Sequence, residues 1–179
     1  WGRGGVNISE LFRSSLRLRP DRVIIGEVRG GEAMDMIQAM TSGHAGSMST
    51  LHANTALTTL NRLETLAMMS PIDLPLHALR SQIASAIDMV VLVTRFNDGR
   101  RCLTEIAEVL PLQDSGHYAT HPMFEYRLVG DEGKAGIGRL QWTGRKSTFC
   151  DEPKIRVLRD SWNLTKNIFD ADIEEGSDS

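Results

Sequence analysis

From Val23 to Val109 the chain alternates short apolar runs with stretches of helical periodicity, and that alternation limits its fold more than any other feature. Val23-Ile24-Ile25-Gly26 has the length and composition of a strand buried on both faces, as central parallel strands are. Gly30-Gly31 turns the chain, and Glu32 to Met40 places Ala33, Met36, Ile37 and Met40 at helical spacing. A loop at Gly43 to Gly46 leads into a second short strand, Ser47 to His52. The next helix runs from Thr55 to Met69, with Leu57, Leu60, Leu63, Leu66 and Ala67 on one stripe. Pro75 opens another, which carries Leu76, Leu79, Ile83 and Ile87. Met89 to Thr94 reads as a strand, Asn97-Asp98-Gly99 as a hairpin turn and Arg101 to Val109 as the returning partner. Upstream, Asn7-Ile8-Ser9-Glu10 is a capping signature for a helix through Arg17 with Ile8, Leu11, Phe12 and Leu16 along one face. The expected class is α/β, with helices against a mixed sheet.

Composition removes several alternatives. Twenty basic and 23 acidic residues leave a net charge of -3, so no general polyanion-binding surface is implied and no nucleic-acid partner is expected. Hydrophobic residues make up 41% of the 179, enough for a packed core rather than a disordered chain. Two cysteines, Cys102 and Cys150, make neither a zinc site nor a disulfide scaffold, which favours a cytoplasmic setting. The longest uncharged stretch, Met36 to Asn61, is too polar to span a membrane. The chain opens Trp1-Gly2-Arg3 without an initiator methionine and reads as a fragment. Beyond Pro111 the pattern changes: Phe124, Tyr126 and Leu128 alternate as in a strand, and glycines crowd Gly130 to Gly144. We therefore divide the chain into a readable core at 1–110, a β-rich extension of unassigned role at 111–169 and an acidic flexible tail at 170–179.

Two segments carry chemistry. In Arg22-Val23-Ile24-Ile25-Gly26-Glu27 an apolar strand ends in an acid, an arrangement that places a carboxylate beside a magnesium-bound phosphate or an attacking water. The plainer reading is that Glu27 only pairs with Arg29 at a strand end. In Gly43-His44-Ala45-Gly46-Ser47-Met48-Ser49-Thr50-Leu51-His52 the strand tip offers hydroxyls and a histidine that can bond phosphate oxygens. Taken locally, each of these histidines reads more readily as a satisfied structural residue. A metal-dependent hydrolase would draw on His44, His52, His117 or His121, although the eight-residue step from His44 to His52 is not a common ligand spacing.

Together the two segments resemble a known family. Leu16-Arg17-Leu18-Arg19-Pro20-Asp21 leading into Arg22 to Glu27, then Val28-Arg29-Gly30-Gly31-Glu32-Ala33, is similar to the Walker B region of the type II/type IV secretion ATPases. Gly43-His44 through Thr50-Leu51-His52-Ala53-Asn54 resembles that family's histidine box. The Arg-Pro-Asp-Arg approach, the Gly-Ser-Met-Ser-Thr-Leu-His-Ala-Asn wording and Arg62-Leu63-Glu64 are most similar to the CpaF/TadA-like branch, which serves Flp (tight-adherence) pilus assembly. The resemblance runs from Val6 to Val109.

The resemblance implies a RecA-like P-loop NTPase core that couples hydrolysis of ATP, with Mg2+, to pilin or substrate export. Glu27 and His52 would be catalytic, Glu27 reaching Mg2+ through water. Gly26, Arg29, Ser49 and Thr50 would border the nucleotide, and His44 and His52 would make up the histidine box. Implied partners are further copies of the chain in a hexameric ring and the platform proteins of the inner membrane, with the ring peripheral to that membrane on its cytoplasmic side. One part of the pattern is missing. The phosphate cradle Gly-x-x-x-x-Gly-Lys-Ser/Thr needs a lysine, and none precedes Lys134. Gly144-Arg145-Lys146-Ser147 imitates it without the spacing. The chain thus resembles the C-terminal half of the motor domain with Walker A absent, and by itself it is expected not to turn over ATP. The rival expectation is a non-catalytic interaction module that assembles with a ring ATPase or a membrane platform.

Overall fold

The computed structural model describes residues 5–129 and 137–148. Ten elements follow in order: α1 (Ile8–Leu16), β1 (Ile24–Ile25), α2 (Glu32–Thr41), β2 (Met48–Ser49), α3 (Ala56–Ala67), α4 (Leu76–Ala86), β3 (Met89–Arg95), β4 (Arg101–Leu110), β5 (Ala119–Val129) and β6 (Ile137–Trp142). The described residues fall into two compact units, one within Trp1–Leu92 and Val109–Thr120, the other within Val93–Glu108 and His121–Ser179. This partition follows contacts, whereas the sequence division at residue 110 follows composition. The acidic tail at 170–179 lies outside the described residues.

The first unit is organised around α2, which packs against α1, α3 and α4. Its core is aliphatic: Ala33, Met34, Met36, Ile37 and Ala39 from α2 are buried together with Leu60, Leu63 and Leu66 of α3, Leu79 and Ile83 of α4, and Phe12 of α1. Helix starts follow the local sequence. The Asn7 carboxamide oxygen accepts the Glu10 N–H at 2.8 Å while the Glu10 carboxylate accepts the Asn7 N–H at 3.1 Å, closing the expected capping box. Thr55 and Thr58 close an equivalent box at the start of α3.

β1 and β2 form a two-stranded parallel ladder, Ile24 opposite Met48 and Ile25 opposite Ser49. Here the structure corrects one expectation. A strand buried on both faces needs a layer on each side, but Ile24 is 71% exposed and its partner Met48 is 55% exposed. The pair shares one outward face, and only the Ile25 side turns inward, because side chains alternate along a strand. The second strand is also shorter than Ser47 to His52, with ladder pairing confined to Met48–Ser49. Three helical stripes are wider on paper than in the fold: Ile8 and Leu11 of α1, Leu57 of α3 and Leu76 of α4 are exposed, each at the margin of a face whose centre is buried.

The remaining strands make a four-stranded sheet in the order β3-β4-β5-β6. The hairpin at Asn97-Asp98-Gly99 is present, with Gly99 at φ +87° and its N–H donating to the Phe96 carbonyl at 2.9 Å. In the second unit, β5 and β6 are antiparallel, with Phe124 opposite Trp142 and Tyr126 opposite Leu140. The Tyr126 ring occupies the space that a side chain at Gly138 would need, and its hydroxyl accepts the Gly138 N–H at 3.0 Å. An aromatic lying over a strand glycine restores packing that the glycine itself lacks. Glu108 is buried in the same unit, where it accepts the N–H and hydroxyl of Thr148.

Candidate functional site

The first unit brings the two chemistry-bearing segments together. Parallel pairing sets the end of β1 beside the end of β2, and three bonds extend the junction past the ladder. The Val28 N–H donates to the Thr50 carbonyl at 3.0 Å, the Thr50 hydroxyl donates to the Gly26 carbonyl, and the Val23 N–H donates to the Ser47 hydroxyl at 2.9 Å. Gly46, at φ +79°, lets the loop before β2 pass under Arg22, whose Nε stands 3.0 Å from the position a Cβ would take. Residues 22 to 24 positions apart are thus held side by side by backbone and hydroxyl contacts.

At this junction Glu27 meets His52. The His52 Nε2 lies 3.1 Å from Glu27 Oε1. On the other side Arg29 Nε donates to Glu27 Oε2 at 2.7 Å, and a second guanidinium nitrogen stands 2.5 Å from the same oxygen. The hydrogen bond from Arg29 holds the Glu27 carboxyl below its ordinary range, with the charges of Arg29 and His52 adding to that effect and partial desolvation opposing it. The same bond raises the Arg29 guanidinium further above its ordinary value. Glu27 is therefore an anion in the neutral range.

The side chains of Arg29 and His52 are 77% and 92% exposed. His52 is thus exposed in this chain, and its ring reaches the acid from open solvent. His44 differs: its Nδ1 is buried without a hydrogen-bond partner, while its carbonyl receives the N–H and hydroxyl of Ser47. The Ser49 hydroxyl lies 3.5 Å from the Thr50 carbonyl. Of the residues read from the sequence, Glu27, Arg29 and His52 are in direct contact, and Gly26 and Thr50 form the backbone tie beneath them. Ser49 sits in the β2 ladder, and His44 belongs to the loop before it.

The family model described as Type II/IV secretion system protein matches residues 2–136. The chain belongs to that family. It is 38% identical over 117 residues to the conjugal transfer protein TrbB of Rhizobium radiobacter, covering 64% of this chain and 34% of the relative. It is 46% identical over 92 residues to the type IV secretion system protein PtlH of Bordetella pertussis, covering 50% of this chain and 27% of the relative. Among solved structures it is similar to the VirB11 ATPase of the Brucella suis type IV secretion system, with a TM-score of 0.53 and 35% identity over 56% of this chain and 31% of that one. The matches span about a third of the length of these relatives or less.

Within this secretion-family chain the site offers one ionised carboxylate with a histidine and a guanidinium beside it. Among the described residues no three of His, Cys, Asp or Glu are gathered closely enough to hold a metal ion, so the metal-dependent hydrolase reading finds no ligand set there. One contributor escaped the sequence reading. Glu32, the first residue of α2, folds its carboxylate back so that Oε1 accepts the N–H groups of Arg29 at 2.7 Å and Gly30 at 3.0 Å. An acid directly after Gly-Gly at a helix start was the available signal, since first-turn acids accept free backbone N–H groups.

Proposed function

We propose that this chain is the water-side half of the catalytic domain of a secretion or pilus-assembly motor ATPase. The observation that carries the reading is the Glu27–His52 contact: an ionised acid at the end of one parallel strand, met by an exposed histidine from beyond the next, in a chain of the type II/IV secretion family. In this reading residues 1–110 are the C-terminal half of a RecA-like P-loop domain, and the Walker A phosphate cradle comes from other residues of the intact protein. ATP is the substrate. Mg2+, when bound, neutralises phosphate charge and is contacted by Glu27 through water. Phosphoryl transfer to water needs positioning and charge neutralisation more than covalent chemistry. Glu27 orients or deprotonates the attacking water, and His52 beside it senses the γ-phosphate. Gly26, Arg29, Ser49 and Thr50 border the nucleotide.

The working unit is proposed to be a hexameric ring on the cytoplasmic side of the inner membrane, acting on platform proteins there. No described helix is long and apolar enough to cross a membrane. The similarity to a conjugal transfer protein and to a type IV secretion protein supports a secretion motor in general. The finer assignment to the CpaF/TadA-like branch, with pilin as cargo, rests on the Gly46-Ser47-Met48-Ser49-Thr50-Leu51-His52-Ala53-Asn54 wording and the Arg19-Pro20-Asp21-Arg22 approach.

The test is phosphate release by the intact protein with and without Glu27→Gln. Turnover is expected to fall at least about a hundredfold with nucleotide affinity retained, the scale of a lost general base. Unchanged turnover would overturn the catalytic reading in favour of a non-catalytic interaction module.

A further inference from the structure

We propose that Glu32 is a positioning residue for Glu27, acting through the backbone of Arg29, an inference that rests on the catalytic reading of Glu27. The loop from Gly26 to Gly31 must deliver two side chains to one point, the Glu27 carboxylate and the Arg29 guanidinium that grips it. The Gly26 carbonyl and the Val28 N–H are fixed by Thr50. Beyond Val28 the described residues show no strand pairing, and the Gly30 and Gly31 carbonyls accept the N–H groups of Ala33 and Met34, each at 3.1 Å. Glu32 anchors the N–H side of the same turn: one carboxylate oxygen takes two successive N–H groups, Arg29 at 2.7 Å and Gly30 at 3.0 Å.

The fit leaves little slack. A Cβ at Gly30 would stand 3.1 Å from Glu32 Oε2, and a Cβ at Gly31 would stand 3.0 Å from the backbone of Ser70. The loop is thus confined by the carboxylate on one side and by the chain after α3 on the other. The carboxylate at the first position of α2 is also favoured by the partial positive charge of that helix end. With the Arg29 backbone fixed, its long side chain reaches back over two residues to Glu27. Without Glu32 the N–H groups of Arg29 and Gly30 turn to water, and the guanidinium loses its fixed origin. The acid then spends less time in the geometry that faces the nucleotide.

The acceptor, not its charge, makes these bonds, so an amide oxygen at the same position should replace it. In the intact protein, Glu32→Ala is expected to lower kcat for ATP hydrolysis about tenfold while KM moves less, because misplacing a reacting group costs rate at the chemical step. Glu32→Gln should recover most of that loss. Hydrogen exchange at the Arg29 and Gly30 amides should speed up in Glu32→Ala and not in Glu32→Gln, a readout independent of activity. Three results would overturn the inference: wild-type kcat in Glu32→Ala, equal damage from Ala and Gln, or unchanged exchange at both amides. Glu27→Gln measured alongside separates the two failures, since a silent Glu32→Ala beside an inactive Glu27→Gln defeats only the positioning role.

Discussion

Two carboxylates in the first unit are built from nearly the same parts and have opposite characters. Glu27 meets an arginine and a histidine; Glu64 meets an arginine and a tyrosine. Glu64 receives Arg80 in a two-point grip, Nε to Oε2 at 2.9 Å and a terminal nitrogen to Oε1 at 3.2 Å, and the Tyr118 hydroxyl donates to Oε2 at 2.9 Å. Arg80 spends a further N–H on the Gly116 carbonyl at 3.2 Å. The side chain of Glu64 is only 12% exposed, and Tyr118 is buried. Around Glu27 the partners stand in solvent. Burial and a full set of partners turn an acid into a strut, here joining α3, α4 and the Gly116–Tyr118 segment. Exposed partners that can leave keep an acid available for chemistry.

In the intact protein, substitutions at the two acids should therefore separate cleanly by readout. The largest effect belongs to Glu27→Gln: a loss of turnover of at least about a hundredfold with a melting temperature close to that of the wild type. His52→Ala sharpens the same side of the comparison. Because its ring is exposed, removal should leave the melting temperature unchanged while lowering turnover about tenfold or more, within the range for a group acting at the transition state. A fall in melting temperature with normal turnover per folded molecule would assign His52 to structure instead.

Glu64→Ala should show the reverse. Removing it empties a buried site and strands the Tyr118 hydroxyl and a half-buried Arg80. Leaving the buried Tyr118 hydroxyl without its acceptor costs about 1–3 kcal/mol, and Arg80, which reaches solvent, adds little to that loss. Urea unfolding measures the loss, and turnover per folded molecule should hold. If Glu64→Ala instead abolished turnover in fully folded protein, the distinction between strut and reactive acid would fail.

The sequence was most legible where structure is local. Asn7 with Glu10, Gly99 in its hairpin and the helical spacing of Ala33, Met36 and Ile37 each carry their signal within one turn. Burial was less legible. Val23 to Gly26 has the composition of an enclosed strand, yet Ile24 is exposed because covering a strand depends on layers that no local pattern encodes. The family resemblance implies that Glu27 and His52 serve one nucleotide site, but it does not pair them; residue spacing alone does not bring positions 25 apart together. Tyr118 and Glu64 lie 54 positions apart, and nothing near either one announces the other. Glu32 reads in the sequence as the first residue of a helix within the Walker B-like segment, and nothing local shows that its side chain bonds backwards into the loop.

The smallest expected effect tests the strut from its third member. Tyr118→Phe keeps the ring and removes one donor from Glu64, which retains both contacts to Arg80. The cost should be about 1 kcal/mol, the usual net worth of such a bond. Its pH dependence is more diagnostic than its size. Burial first, and then the hydrogen bond to Glu64, raise the Tyr118 hydroxyl well above its ordinary value of 10.0. The folded state therefore holds this proton more tightly than the unfolded state does. The associated stability is complete below the unfolded value and declines as pH rises past it. Unfolding free energy measured from about pH 9 to 11 should fall more steeply in the wild type than in Tyr118→Phe, the excess slope being the contribution of this one hydroxyl. Parallel curves for the two proteins would mean that Tyr118 ionises in the folded chain as freely as in the unfolded one. In that case the Glu64 cluster would be as open to solvent as Glu27, and burial would not be what separates the two acids.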